Sequence, residues 1–149
     1  PQVLIGVLQI PRFAMYSAIL EARRCPASGR GRRKVLRKIR RHAKVARQWA
    51  EQGPENFGPM ADIIEGELAR LLGRHERAAE ALERARAGAQ TNGALNLVAL
   101  ASLRLAVAAH ARGHALTANA AFAAAIAGYE AWGAAAVVTR LRERGLEQA

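Results

Sequence analysis

The sequence predicts an all-α fold, an α-solenoid of antiparallel helical hairpins with six or seven helices in one domain spanning 1–149. Three observations carry that expectation. Ala, Leu, Arg and Glu dominate while Val, Ile, Thr and the aromatics (5% for Phe, Trp and Tyr together) are sparse, a balance that favours helix over strand. Apolar residues recur three and four apart and seldom alternate. The helical stretches end at glycines, and those stops repeat: Gly73 and Gly113 are forty residues apart, as are Gly93 and Gly133.

The first element runs from about Val3 to Arg24, with Pro11 expected to kink or restart it. Cys25-Pro26-Ala27-Ser28-Gly29 is a loop by its Pro and Gly. A basic helix follows to about Gln52, where Val35, Leu36, Ile39, Ala43, Ala46, Trp49 and Ala50 form one apolar stripe. Gly53-Pro54-Glu55-Asn56 stops it, because Gly can take a left-handed end and Pro cannot continue a helix. A third helix covers about Phe57 to Leu72, with Met60, Ile63, Ile64, Leu68, Leu71 and Leu72 facing inward. Asp62, Glu65 and Glu67 are expected to complement the dipole at its start. The fourth runs from His75 to Thr91 and the fifth from Ala94 to Arg112, apolar almost all round and therefore enclosed by neighbours. The sixth runs from His114 to Trp132 and the last from Ala134 to about Arg144. The chain thus divides into a basic N-terminal helix pair (1–53), two hairpins (57–93 and 94–133) and a capping helix (134–149).

Within the hairpins the packing residues align as well as the stops. Ala78 aligns with Ala118, Leu82 with Phe122, Ala85 with Ala125, and Gly66 with Ala106. Spacings of four and three put the small and large residues on one helical face. One hairpin cannot bury both its faces, whereas stacked hairpins can. The pattern Gly73, Ala78, Leu82, Ala85, repeated at Gly113, Ala118, Phe122, Ala125, resembles the tetratricopeptide repeat (TPR). It departs from that family in a period of forty against about thirty-four, in lacking the early Trp, and in lacking a closing Pro. A closer resemblance covers about Arg12 to Leu146. Pro54-Glu55-Asn56-Phe57, Glu67 through Gly73 and Tyr129-Glu130-Ala131-Trp132-Gly133-Ala134 are similar, in the same order, to the TPR-like helical region of large bacterial signalling proteins. Those proteins join a protein kinase-like or cyclase domain, a STAND-type AAA ATPase, this helical region, and often GAF and histidine kinase modules. The resemblance implies a sensor or scaffold segment, in a fragment of a longer chain or a stand-alone relative, with flanking ATPase or kinase domains as partners and the chemistry elsewhere.

A hydrophobic content of 51% excludes a disordered chain, and a single cysteine, Cys25, excludes an internal disulfide framework. That cysteine suits a reducing compartment, so the expected localisation is cytoplasmic. The apolar tract from Ala94 to Ala111 holds Asn96, Ser102, Arg104 and His110, which argues for a helix enclosed by helices and against a membrane span. No phosphate-binding glycine loop, nucleophile elbow or ligand-spaced cluster is present. His110 and His114 are four apart, but Gly113 between them would splay the rings. The sequence therefore predicts no enzyme, no cofactor and no metal, and a protein or peptide as partner.

The resemblance to the TPR implies that the first helix of each hairpin lines the concave surface, and the repeat phase then places Glu67, Arg70, Leu103, Arg104, Val107 and His110 there as candidate partner-binding residues. Arg104 is the only formal charge between Ala94 and Ala111. The second candidate surface comes from charge. Residues 1–60 hold 13 Lys+Arg against 3 Asp+Glu, a net of +10, while residues 61–149 hold 10 against 9, a net of +1. No acid lies between Glu21 and Glu51. Arg33, Lys34, Arg37, Lys38, Arg41 and Lys44 would serve a polyanion such as nucleic acid, although a solvated face of an amphipathic helix has the same pattern. Val3, Leu4, Val7 and Leu8 on the first helix suggest a homodimer contact.

Overall fold

A computed structural model describes residues 2–146, with side chains from residue 9 onward. The side chains of Val3, Leu4, Val7 and Leu8, expected to carry self-association, lie outside the described residues, as do residues 147–149 of the expected capping segment. Among the described residues seven helices follow one another: α1 (Gln2–Arg23), α2 (Gly29–Gln52), α3 (Pro54–Leu71), α4 (His75–Thr91), α5 (Leu95–His110), α6 (Ala115–Ala131) and α7 (Ala135–Arg144). No strand occurs among the described residues, so the fold is all-α as the composition predicts. Each helix packs on the next in sequence. In addition α1 lies along α3, and α3 touches α5.

Pro11 does not restart the first helix, and the third helix starts earlier than expected. The first helix runs through Pro11 as one element, with the ring buried. The third begins at Pro54, which takes the first helical turn, where its missing N–H leaves no bond unmade. Glu55 is then the acid of the first turn. Asp62, Glu65 and Glu67 sit too far along α3 to meet its N-terminal dipole, which corrects that expectation. A second proline, Pro59, leaves the Glu55 carbonyl four residues back without its helical donor. The Asn92 side-chain amide, from the turn after α4, donates to that carbonyl instead.

Four turns share one conformation. Gly73, Gly93, Gly113 and Gly133 all have positive φ, between 66° and 81°. The next residues, Arg74, Ala94, His114 and Ala134, all lie near φ −85° with ψ between 58° and 71°. In each turn the glycine N–H bonds the carbonyl three residues back, and the following N–H bonds the carbonyl five back, as Arg74 to Ala69 and Ala134 to Tyr129, both 2.9 Å. This pair of bonds is the Schellman motif, which satisfies the orphan carbonyls at a helix end. The glycines fall every twenty residues, so α3 and α4 are followed by α5 and α6 with matching bends, and α7 starts as α5 does.

The helix contacts repeat on the same period. Gly88 of α4 lies against the Pro59 ring, and Gly128 of α6 lies against Ala99, each partner forty residues on from its counterpart. Gly66 of α3 receives the Leu82 side chain, which is fully buried. Leu82 belongs to the main core, with Met15, Ile39, Ile63, Ile64 and Leu100. A smaller core at the C-terminal end joins Ala99, Leu103, Ala125, Tyr129, Val138 and Leu141. Phe122 sits only partly buried at its edge.

The Ala99–Gly128 contact gives a direct test of this packing. A Cβ on Gly128 would stand 3.0 Å from the Ala99 Cβ and 3.2 Å from its Cα. Backbone cannot rotate out of the way, so Gly128→Ala must push α5 and α6 apart. The expected loss is about 1–3 kcal/mol from overpacking, set against about 1 kcal/mol gained in helix propensity. Asn119→Ala, at an exposed position of α6 with no hydrogen bond of its side chain among the described residues, supplies the control and should raise stability through helix propensity. Opposite shifts in thermal midpoint are expected; a rise for both would mean that α5 and α6 separate without cost.

Candidate functional site

The first helices of the repeating pairs bring three predicted residues together. Glu67 projects from α3 into the interior with no exposed side-chain surface. The Arg104 Nε of α5 donates to its Oε1 at 2.6 Å. Arg70, one turn on along α3, donates from Nη2 to the other oxygen at 2.9 Å and from Nε at 3.3 Å. Each carboxylate oxygen thus has its own arginine, and no buried side-chain polar atom lacks a partner among the described residues. Burial alone would raise the Glu67 carboxyl; the Arg104 charge and hydrogen bond, with Arg70 behind them, override it and hold the carboxyl below its ordinary range.

The triad fixes Arg104 at the floor of a cavity of about 210 Å³. Ile19 of α1, Leu100 and Leu103 of α5 and Leu141 of α7 give it apolar walls. Four arginines surround them: Arg104 below, Arg23 from α1, and Arg140 and Arg144 from α7. Arg140 and Arg144 have no acidic partner among the described residues. The cavity therefore pairs a leucine-rich surface with charge of one sign. Nearby, burial pushes the Tyr129 hydroxyl up to about 12, with Tyr16 of α1 adding to it and Arg104 opposing.

The remaining candidates on this face are dispersed. Val107 is half-buried, and His110 is exposed at the end of α5. Arg23, Arg140 and Arg144 were not among the residues expected here. The available signal was the forty-residue period, which carries Arg104 onto Arg144. Treating the last helix as a cap conceals it. Each of the larger clefts also holds at least one acid, Glu65, Glu83, Glu76 or the pair Glu51 and Asp62. One near 300 Å³ holds Arg47 and Arg77 with Glu65, which already pair with one another, and one near 310 Å³ is walled chiefly by alanines of α5 and α6.

The basic helix sorts its cations into two sets. Lys38 bonds Glu21 of α1 at 2.5 Å. Arg47 bonds Glu65 of α3 at 2.5 Å, in a network that also holds Asp62, Arg77 and Arg84. Arg32 donates to the Leu71 carbonyl at the end of α3 and approaches Cys25 Sγ at 3.8 Å. Arg33, Lys34, Arg37, Arg41 and Lys44 are exposed and take part in none of these bonds. Trp49 stacks edge-on against Phe57 with ring centroids 5.6 Å apart, so it serves packing.

Among the described residues, no three His, Cys, Asp or Glu side chains converge to hold a metal ion, and no helix is long and apolar enough to cross a membrane. No family model, curated protein or solved structure matches the chain.

Proposed function

We propose that the chain is a non-catalytic interaction module, a TPR-like α-solenoid whose groove between α1, α5 and α7 receives a protein or peptide segment. The four matching turns and the contacts that recur forty residues apart support the solenoid reading. The observation that carries the binding reading is the cavity itself, three leucines and an isoleucine ringed by four arginines. Such a surface suits an apolar side chain next to a carboxylate, since Arg offers a planar fork to the anion while its stem adds apolar contact. Exposed Arg140 and Arg144 meet the partner's charge, while Arg104, neutralised by Glu67, closes the floor. Glu67 and Arg70 are positioning residues that hold Arg104 in place. The resemblance to multidomain signalling ATPases and kinases makes this a scaffold or sensor segment, with flanking domains as its natural partners.

A fluorescent peptide of alternating Leu and Glu tests the groove. It should bind saturably to the full chain, and a Leu/Gln peptide of equal length should not. Arg140→Glu/Arg144→Glu should weaken binding by about tenfold or more, about 1.4 kcal/mol. Both residues are exposed, so the fold is expected to persist. Equal binding of the two peptides, or binding indifferent to the double substitution, overturns the proposal.

A further inference from the structure

We infer that the outer face of α2 is a docking surface for double-stranded nucleic acid, held through its phosphates and without regard to sequence. The claim rests on how the helix arranges its unpaired cations and is independent of the α1–α5–α7 groove. At about 100° per residue, Arg30, Arg33, Lys34, Arg37, Arg41 and Lys44 fall within an arc of about 100° on one side of α2. From Arg30 to Lys44 the stripe is about 21 Å long at a rise of about 1.5 Å per residue. All six are exposed, and none has an acidic partner among the described residues. Of the cations that flank the stripe, Lys38 is spent on Glu21 and Arg47 on Glu65, while Arg40, exposed and without an acidic partner among the described residues, extends it. The separation is therefore structural: cations near α1 and α3 are neutralised, and those facing outward are left in register.

A duplex carries one phosphate per about 1.7 Å of its axis with both strands counted, about twelve over 21 Å, of which those on the near side lie within reach. Six cations can engage half of the twelve. The competing surfaces fit less well. A helix that lies on an anionic membrane inserts an apolar face beside its cations. In α2 the apolar residues Leu36, Ile39, Ala46 and Ala50 are buried in the fold, so α2 itself offers no such face, and the exposed Ile10, Phe13, Tyr16 and Leu20 lie on α1. Single strands are gripped by exposed aromatics that stack on bases. The only aromatic of α2, Trp49, is engaged with Phe57. What remains is charge at fixed spacing on a stiff rod, which suits a backbone of regular geometry.

The test is fluorescence anisotropy of the full chain with two unrelated 20-base-pair DNA duplexes across a salt series. Binding should be equal for the two sequences within about threefold. With five or six phosphates neutralised, log K should fall with log salt at a slope of about −5, close to a thousandfold between 50 and 200 mM. Arg33→Gln/Arg37→Gln/Arg41→Gln, checked for retained helicity, should flatten that slope by nearly three. Arg142→Gln, whose side chain pairs with Glu130 on the far end of the molecule, should leave it unchanged. No binding at 50 mM salt, a slope of about −1 or shallower, or a triple variant that binds as the parent does would overturn the inference. So would tighter binding to a single strand, or to vesicles of phosphatidylglycerol, than to either duplex.

Discussion

Glu67→Ala is expected to lower the stability of the folded chain by about 3–5 kcal/mol, measured by urea denaturation. That is a large share of the roughly 5–15 kcal/mol that holds a typical domain together. The reason is what the substitution leaves behind. Arg104 has only 3% of its side chain exposed, and its 2.6 Å bond to Glu67 is its ion pair in the interior. Without the carboxylate, an uncompensated guanidinium stays buried on α5. Arg70, at 17% exposed, can turn outward and be hydrated. The cost should therefore belong to Arg104, and a double variant shows it. Glu67→Met/Arg104→Met removes both charges and fills the space, and should recover most of the loss. A single variant that costs under about 1 kcal/mol would mean Arg104 reaches water or another acceptor in the native fold.

The same carboxylate makes a prediction in pH. Its folded value lies below its ordinary 4.5, because Arg104 and Arg70 outweigh burial. A depressed carboxyl contributes stability that is fully present above the unfolded value and is lost as pH falls through the folded one. Stability of the parent should therefore decline on the acid side of 4.5, and Glu67→Gln should flatten that part of the curve. His42 acts in the same direction at higher pH. Burial lowers it from 6.5, with Glu21 opposing and Lys38 assisting, so protonation below 6.5 also disfavours the folded state.

The helices were legible in the sequence because their punctuation is physical. Gly73, Gly93, Gly113 and Gly133 stand where a left-handed residue is required, and each ends a helix within a residue or two of expectation. The start of α3 was misplaced because Pro54 reads both as a stop for α2 and as a first-turn residue for α3, and only packing decides. The candidate site was legible in part. Glu67, Arg70 and Arg104 could be set on one face by repeat phase, but phase cannot say that a residue faces into the stack. Glu67 is buried because α1 and α5 close over α3, a fact about long-range packing. The α2 cations show the same limit. Composition marks all of them as basic, yet pairing of Lys38 and Arg47 depends on where Glu21 and Glu65 come to rest.

Leu82→Ala should cost about 2–5 kcal/mol and should exceed the cost of Phe122→Ala, although phenylalanine loses more volume. Repeat phase makes the two residues equivalent, but their surroundings differ. Leu82 is 0% exposed and fills a notch above Gly66, where a Cβ would come within 2.6 Å of its Cγ. Phe122, which the repeat phase aligns with Leu82, stays partly exposed, so part of its ring already meets water. The notch also predicts a reversal of sign. In the parent, Gly66→Ala forces Leu82 to move within a full core and should destabilise by about 1–3 kcal/mol. In the Leu82→Ala background the same methyl enters vacated space and adds about 1 kcal/mol of helix propensity, so it should stabilise. Residues in contact are where additivity fails, and a full cycle of the four proteins measures the coupling. Additive effects would mean that the two side chains do not share one space, and the α3–α4 packing described above would then be wrong at its centre.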